Sequence, residues 1–295
     1  MTATQQFQGS VLCDAKLKLG EGPSYDPATD TLWWFDIVGK ALHALNLETG
    51  GKQVHALPVM ASVIATIDDR RQLLATEQGL YLRDTASGAL SHHLQFETGR
   101  PGNRSNDGRV HQSGALWVGT MGKTAAPGAG AIYHIAGTTV TSLFDTVSIP
   151  NAICFSPDGA IGYFVDTKVN TLMQVALDPA TGLPTGKPSV LIDGAGKPGG
   201  IDGAICDADG GIWNARWGEG ALDHYDAGGQ QLARYLLPAR QTTCPAFIGR
   251  NADRIAVTSA SEGLTADQLA ADPQAGATFV LHITVRGRHE PAFRL

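Results

Sequence analysis

Six times along this 295-residue chain an apolar strand core follows a tight turn, at intervals of roughly 40 to 50 residues. The cores are TLWWFDI from Thr31, QLLATEQ from Gln72, ALWVGTM from Ala115, IGYFVDT from Ile161, GIWNARW from Gly211 and RIAVTSA from Arg254. Before them stand DPATD, DDRR, HQSG, SPDG, DADG and GRNAD, rich in the Gly, Asp, Asn and Pro residues that reverse a chain within a few positions. A unit of this size cannot bury both faces of its own sheet, so repeated units must stack on one another.

Each core is followed by a second strand (ALHALNL, GLYLRD, AIYHIA, TLMQVAL, ALDHYDA, TFVLHITV) and preceded by another (GPSYD, SVIATI, DGRVH, NAICFS, DGAICD, PAFIG). Segments such as VHALPV and SVLID supply a fourth. The pattern predicts an all-β, six-bladed β-propeller forming a single domain over residues 1–295. Closing the ring hides sheet edges that would otherwise pair with other chains. The early segment SVLCDAKLKLG is expected to pair with the last blade and seal the ring. Only SEGLTADQLAADPQAG reads as helical, with threonine ahead of alanine and aspartate as its start signal. A two-sheet sandwich does not account for six matching triplets.

The 36 glycines and low charge content suit short strands and tight turns. A net charge of -6 with no basic run argues against a nucleic-acid partner. No apolar run approaches a membrane span. The stretch MTATQQFQGS lacks the charged and apolar regions of a secretory signal. Cys13, Cys154, Cys206 and Cys244 are scattered and form no C-x-x-C pair, so free buried thiols and a cytoplasmic location are expected.

The repeat permits a register test. Stepping back about nine or ten residues from each core, to the start of the preceding strand, gives Glu21, Ser62, Asn106, Asn151, Asp202 and Cys244. In a propeller these positions lie on the strands that line the channel and converge on one mouth. All but Cys244 carry side-chain oxygen, where a core position would repeat as valine, isoleucine or glycine. Glu21, Asn151 and Asp202 offer two carboxylates and an amide carbonyl, hard ligands suited to calcium, magnesium or manganese. No histidine joins them, which disfavours a zinc-selective site, although zinc also accepts carboxylates.

Several other motifs fail on inspection. The run Gly122-Lys123-Thr124 ends like a phosphate-binding loop, but Trp117 holds the place where that loop needs glycine. There is no G-x-S-x-G nucleophile elbow and no H-E-x-x-H helix. DADGG from Asp207 imitates the start of an EF-hand loop without its later ligands and reads as a strand turn. His92-His93 reads as part of a solvated polar loop.

Four stretches together, GEGPSYD from Gly20, NRSNDGRVHQSGALWVGTM from Asn103, PNAICFSPDG from Pro150 and GIDGAICDADGGIWNARWG from Gly200, resemble the senescence-marker-protein/gluconolactonase/regucalcin-like family. The resemblance implies a six-bladed propeller holding one divalent metal ion in its central channel and hydrolysing sugar lactones, small-molecule substrates. Calcium is the foremost candidate, with zinc, manganese, magnesium and iron also admitted. Carried over by motif, the ligands would be Glu21, Asn151 and Asp202, the substrate contacts Arg104 and Asn106, and the general base Asp202. Two positions depart from the family pattern. His111 stands where many members carry aspartate and reads as a turn residue. Lys123 stands where some members carry acids facing the substrate, so it could favour a more hydroxylated or carboxylate-bearing lactone, or face solvent. Two other functions fit the same propeller: a non-catalytic calcium-binding or docking protein, and an organophosphate-hydrolase-like enzyme.

Overall fold

The computed structural model describes residues 3–295. Six antiparallel sheets follow one another along the chain, and together they form a six-bladed β-propeller. The first blade runs Gly20–Asp26, Thr31–Asp36, Ala41–Asn46 and Lys52–Ala56, from channel to rim. The innermost strands of the other five are Ala61–Thr66, Asn103–Val110, Pro150–Phe155, Gly200–Cys206 and Thr242–Ile248.

The sixth blade closes the ring as expected. Its outer strand, Gly9–Cys13, comes from the start of the chain and pairs antiparallel with Thr278–Leu281, Gly9 opposite Leu281. A short strand absent from the sequence reading, Ala3–Gln5, adds in parallel to Gln231–Leu236 at the rim of the fifth blade. Three largely exposed residues show no hydrophobic alternation, so nothing in their pattern announces a strand.

Blades hold together through apolar faces. Six clusters of buried side chains fill the six interfaces. Leu32 and Trp34 of the first blade meet Ala246, Ala256 and Val280 of the sixth. Trp117 and Ile132 of the third meet Ile153 and Phe164 of the fourth. Covered on both faces, middle strands such as Leu116–Gly122 are buried throughout rather than alternating, while rim strands such as Lys52–Ala56 stay largely exposed. Burial of this kind stabilises by roughly 25 cal/mol per Å² of apolar surface.

The expected helix is present as Ala266–Ala271. Thr265 caps it, its hydroxyl accepting from the Gln268 amide at 3.3 Å while the Gln268 side chain accepts from the Thr265 amide at 2.9 Å. His92 and His93 sit not in a loop but in the outer strand Leu90–Leu94 of the second blade, His92 edge-on to Tyr81. All four cysteines are free and buried. Among the described residues no helix is long and apolar enough to cross a membrane.

Candidate metal centre in the channel

A shared irregularity shapes the channel. Every innermost strand breaks its pairing register near its start: between Glu21 and Ser24, Ala61 and Val63, Ser105 and Gly108, Asn151 and Cys154, Ile201 and Ala204, and Thr242 and Pro245. Ser62, Asn106, Asp202 and Cys244 lie inside these breaks, and Glu21 and Asn151 lie at their edges. An extra residue on one strand re-aims the neighbouring side chains, and such bulges gather beside functional sites. The register positions read from the sequence are therefore the bulge positions. At Gly22 and Ala152, which follow Glu21 and Asn151, the backbone takes positive φ, +55° and +54°. A Cβ at Gly22 would run into the Ser62 carbonyl, which restricts that place to glycine.

The breaks bring the candidate residues together. Asn106 Nδ2 donates to Asn151 Oδ1 and to the Pro150 carbonyl, both at 3.0 Å. Asn106 Oδ1 accepts from Arg104 Nη1 at 2.7 Å. Asn151 Nδ2 donates to Thr167 Oγ1 at 2.9 Å, and that hydroxyl donates to the Ile201 carbonyl, next to Asp202, at 2.7 Å. One hydrogen-bonded relay thus runs from the third blade through the fourth to the fifth. Glu21 completes the group from the first blade, one of its oxygens accepting from the Gly22 amide at 3.0 Å.

The electrostatics of this group are severe. Burial pushes the Glu21 carboxyl well above the usual range, and the charge of Asp107 adds to the shift, with the Gly22 amide, Arg104 and Arg109 pulling it back. Asp202 is likewise raised, by burial and then by Glu21 and Asp107. Two buried acids repelling each other are costly without a counter-charge. Arg104 supplies part of one. Its own burial lowers its pKa, against Glu262, Glu21, Asp202 and Glu77, which favour its charge.

The donors suit a hard dication: two carboxylates and one amide oxygen from three different blades, with Asn151 and Asp202 buried and Glu21 partly so. Among the described residues no three His, Cys, Asp or Glu side chains are grouped so as to hold a metal ion, so the set depends on the Asn151 amide. Ser62 and Cys244, the other two register positions, have other partners. The Ser62 hydroxyl donates to Ser105 Oγ at 2.7 Å, and Cys244 packs against the bare Cα of Gly203.

Three neighbours escaped the sequence reading. Asp107 binds the Gly108 and Ile153 amides at 2.8 and 2.7 Å, clamping the third blade to the fourth. Asn214 Nδ2 donates to the carbonyls of Asp202 and Gly203 at 3.0 and 3.1 Å, fixing the backbone that carries Asp202. A polar residue inside the apolar run GIWNARW was the available signal for it. Arg109 is buried beneath the acids and pairs with Glu290.

At the mouth, Lys123 does not stand free. Its ammonium lies 2.6 Å from Glu77 and also meets the Pro101 carbonyl at 3.2 Å, while Glu77 is shared with Lys40 at 3.8 Å. A cleft of about 390 Å³ opens beside this pair, with Arg104, Glu97 and Arg100 in its walls. His111 behaves as the turn residue expected: fully buried, it contacts Ser113 Oγ and the Gly159 carbonyl, both at 2.9 Å. In the DADGG turn, Asp207 Oδ1 accepts from the Gly211 and Asp209 amides, a turn-capping role and not a cation loop.

A six-bladed propeller with an acid-and-amide cluster at one mouth of its channel defines a class of protein. The chain belongs to one family within it: the description "SMP-30/Gluconolactonase/LRE-like region" matches residues 19–261. It is 58% identical, over the whole of both chains, to a Rhizobium meliloti (strain 1021) protein carrying the provisional name sugar lactone lactonase. It is 35% identical to the L-arabinolactonase of Azospirillum brasilense, over 92% of this chain and 91% of that one. Among solved structures it matches a calcium-binding protein, regucalcin, from Agrobacterium tumefaciens, with a TM-score of 0.99 and 59% identity, covering all of both chains.

Proposed function

We propose that this chain is a metal-dependent hydrolase that opens a sugar lactone, an aldonolactone, to the aldonic acid. The observation that carries the reading is the junction of Glu21, Asn106, Asn151 and Asp202 at one mouth of the channel, linked by the Arg104–Asn106–Asn151 relay. Membership of a family whose relatives are named for lactone hydrolysis supports it.

In this reading Glu21, Asn151 and Asp202 hold one divalent cation. Calcium is foremost, in keeping with the description of the Agrobacterium tumefaciens relative. Zinc, manganese, magnesium and iron accept the same donors. When bound, the cation serves as a Lewis acid for the lactone carbonyl. The chain's residues do the rest. Arg104, its Nη1 already fixed by Asn106 and the Ser105 carbonyl, turns its remaining donors toward the ring oxygens of the substrate. That orientation lowers the entropic barrier to attack. Asp202 takes the proton from the attacking water. Its buried, acid-flanked setting raises its basicity, and the Gly203 amide and Arg104 offset only part of that rise, so a bound cation would be what holds it ionised. The four buried free thiols favour a reducing compartment, the cytoplasm.

The test is lactone hydrolysis by chelator-stripped protein, before and after calcium, zinc, manganese, magnesium or iron(II) is returned, with pentono- and hexonolactones side by side. Loss of turnover on stripping and recovery with one cation are expected. Full turnover in metal-free protein overturns the mechanism.

A further inference from the structure

The last fourteen residues form no strand or helix, yet they touch all six blades. Arg286 meets Asp209 of the fifth blade at 2.6 Å, and Gly287 donates to the Ala252 carbonyl of the sixth. Arg288 donates to the Phe155 carbonyl of the fourth. His289 stacks on Tyr25 of the first. Phe293, 1% exposed, donates its amide to the Thr66 carbonyl of the second, and Arg294 donates to the Gly114 carbonyl of the third. The segment crosses one end of the channel and leaves beneath it a cavity of only about 40 Å³, lined by Tyr25, Arg109, Cys154, Cys206, Arg288 and Glu290.

At the centre of this plug Glu290 pairs with Arg109 Nη1. Arg109 also donates to the Ala204 carbonyl at 3.3 Å and stands 3.8 Å from Cys244 Sγ, so it reaches the strands that carry Asp202 and the sixth register position. Its charge is felt at Glu21 and at Asp107. Around the guanidiniums of Arg104 and Arg109 stand the carboxylates Glu21, Asp107, Asp202 and Glu290, and Arg288 lines the far-end cavity beside Glu290.

We propose that Glu290 is a positioning residue for the metal centre: the C-terminal segment carries it into the far end of the channel to hold Arg109 and cancel its charge, so that the acids at the mouth keep their pull on the cation. The inference rests on the metal reading above. Removing the Glu290 charge leaves Arg109 without its ion-pair partner and makes the channel less negative. Removing the Arg109 charge does the opposite. A purely structural role predicts losses of the same sign from both.

The experiment measures calcium binding to metal-stripped full-length protein by isothermal titration calorimetry, with unfolding temperatures taken in parallel. Glu290→Gln is expected to weaken binding by about tenfold, Arg109→Gln to tighten it, and the double variant to return within about threefold of the original. Arg286→Gln, which removes an exposed ion pair of the same segment, is expected to leave affinity unchanged. If Glu290→Gln does not fold, the direction of change in Arg109→Gln still decides. Weaker binding in both single variants, or unchanged binding in both, overturns the proposal while leaving the metal reading intact. Absence of calcium binding by the unaltered protein, with none by zinc, manganese or magnesium either, overturns both.

Discussion

Asn106 of the third blade gives its amide to Asn151 Oδ1 of the fourth at 3.0 Å, across 45 residues of sequence. The bond fixes which end of the Asn151 amide faces the channel, because Nδ2 is already committed to Thr167. It also holds Arg104 by accepting from its guanidinium. Asn106→Ala removes both constraints at once. It is expected to lower kcat/KM by about 10- to 100-fold, and to cost about 1–3 kcal/mol of stability from the buried partners left unpaired. Steady-state kinetics and chemical denaturation check the two effects separately. A variant with unchanged kcat/KM removes Asn106 from the site.

Asp202 is buried beside another acid, so its charge destabilises the metal-free fold even as the proposed reaction requires it. Asp202→Asn keeps the shape and removes the charge. Hydrolysis is expected to fall by at least about a thousandfold, since a ligand and a base are lost together. The unfolding temperature of the metal-free protein is expected to hold or rise, as when a buried unpaired charge is replaced by a neutral group. A marked fall in metal-free stability contradicts the electrostatic account of this residue.

The two buried acids also make stability depend on the cation. A ligand that binds only the folded state stabilises it by about 2.7 kcal/mol when present at a hundred times its Kd. For a chain of this length that is a rise of roughly 4 °C in unfolding temperature. Differential scanning calorimetry with and without calcium measures it, and Glu21→Gln is expected to abolish most of the rise. Equal temperatures in stripped and calcium-loaded protein speak against a site at these residues.

Much of this was legible in the sequence because a propeller repeats its punctuation. Each blade announces itself through a turn and an apolar core, so counting back nine or ten residues from Ala115 or Thr31 lands on Asn106 or Glu21 without knowledge of the fold. The bulges that aim those side chains were not legible, since a register break follows from how two strands pair and no residue type encodes it. Asp107 follows Asn106 in an Asn-Asp-Gly run, a sequence equally common in turns, so its residue type alone does not mark it as part of a site. Glu290 was out of reach for a different reason. It lies in a segment with no periodicity and finds Arg109 181 residues away, a contact that only the closed ring creates. The lysine of the GKT run was visible, but its partner Glu77, on the preceding blade, was not.

That partner changes what Lys123 can do for substrate choice. With Glu77 at 2.6 Å the lysine's charge is largely spent before a substrate arrives. Burial alone would raise the Glu77 carboxyl, but Lys123 and the Met60 amide hold it below its ordinary value, so it stays ionised as a counter-charge. Lys123→Met is then expected to alter the preference between neutral and carboxylate-bearing lactones by less than about threefold, because a balanced pair exerts little field at a distance. Glu77→Gln keeps an acceptor for the Met60 amide and frees the lysine. It is expected to shift that preference toward carboxylate-bearing lactones by about tenfold, mostly through KM, and the shift should shrink as salt is added. Neither change should cost more than about 1 kcal/mol of stability, since Lys123 is partly exposed to solvent. Competition between the two lactone types at low and high ionic strength measures the preference directly, and a larger response from Lys123→Met than from Glu77→Gln would show that the lysine reads the substrate on its own.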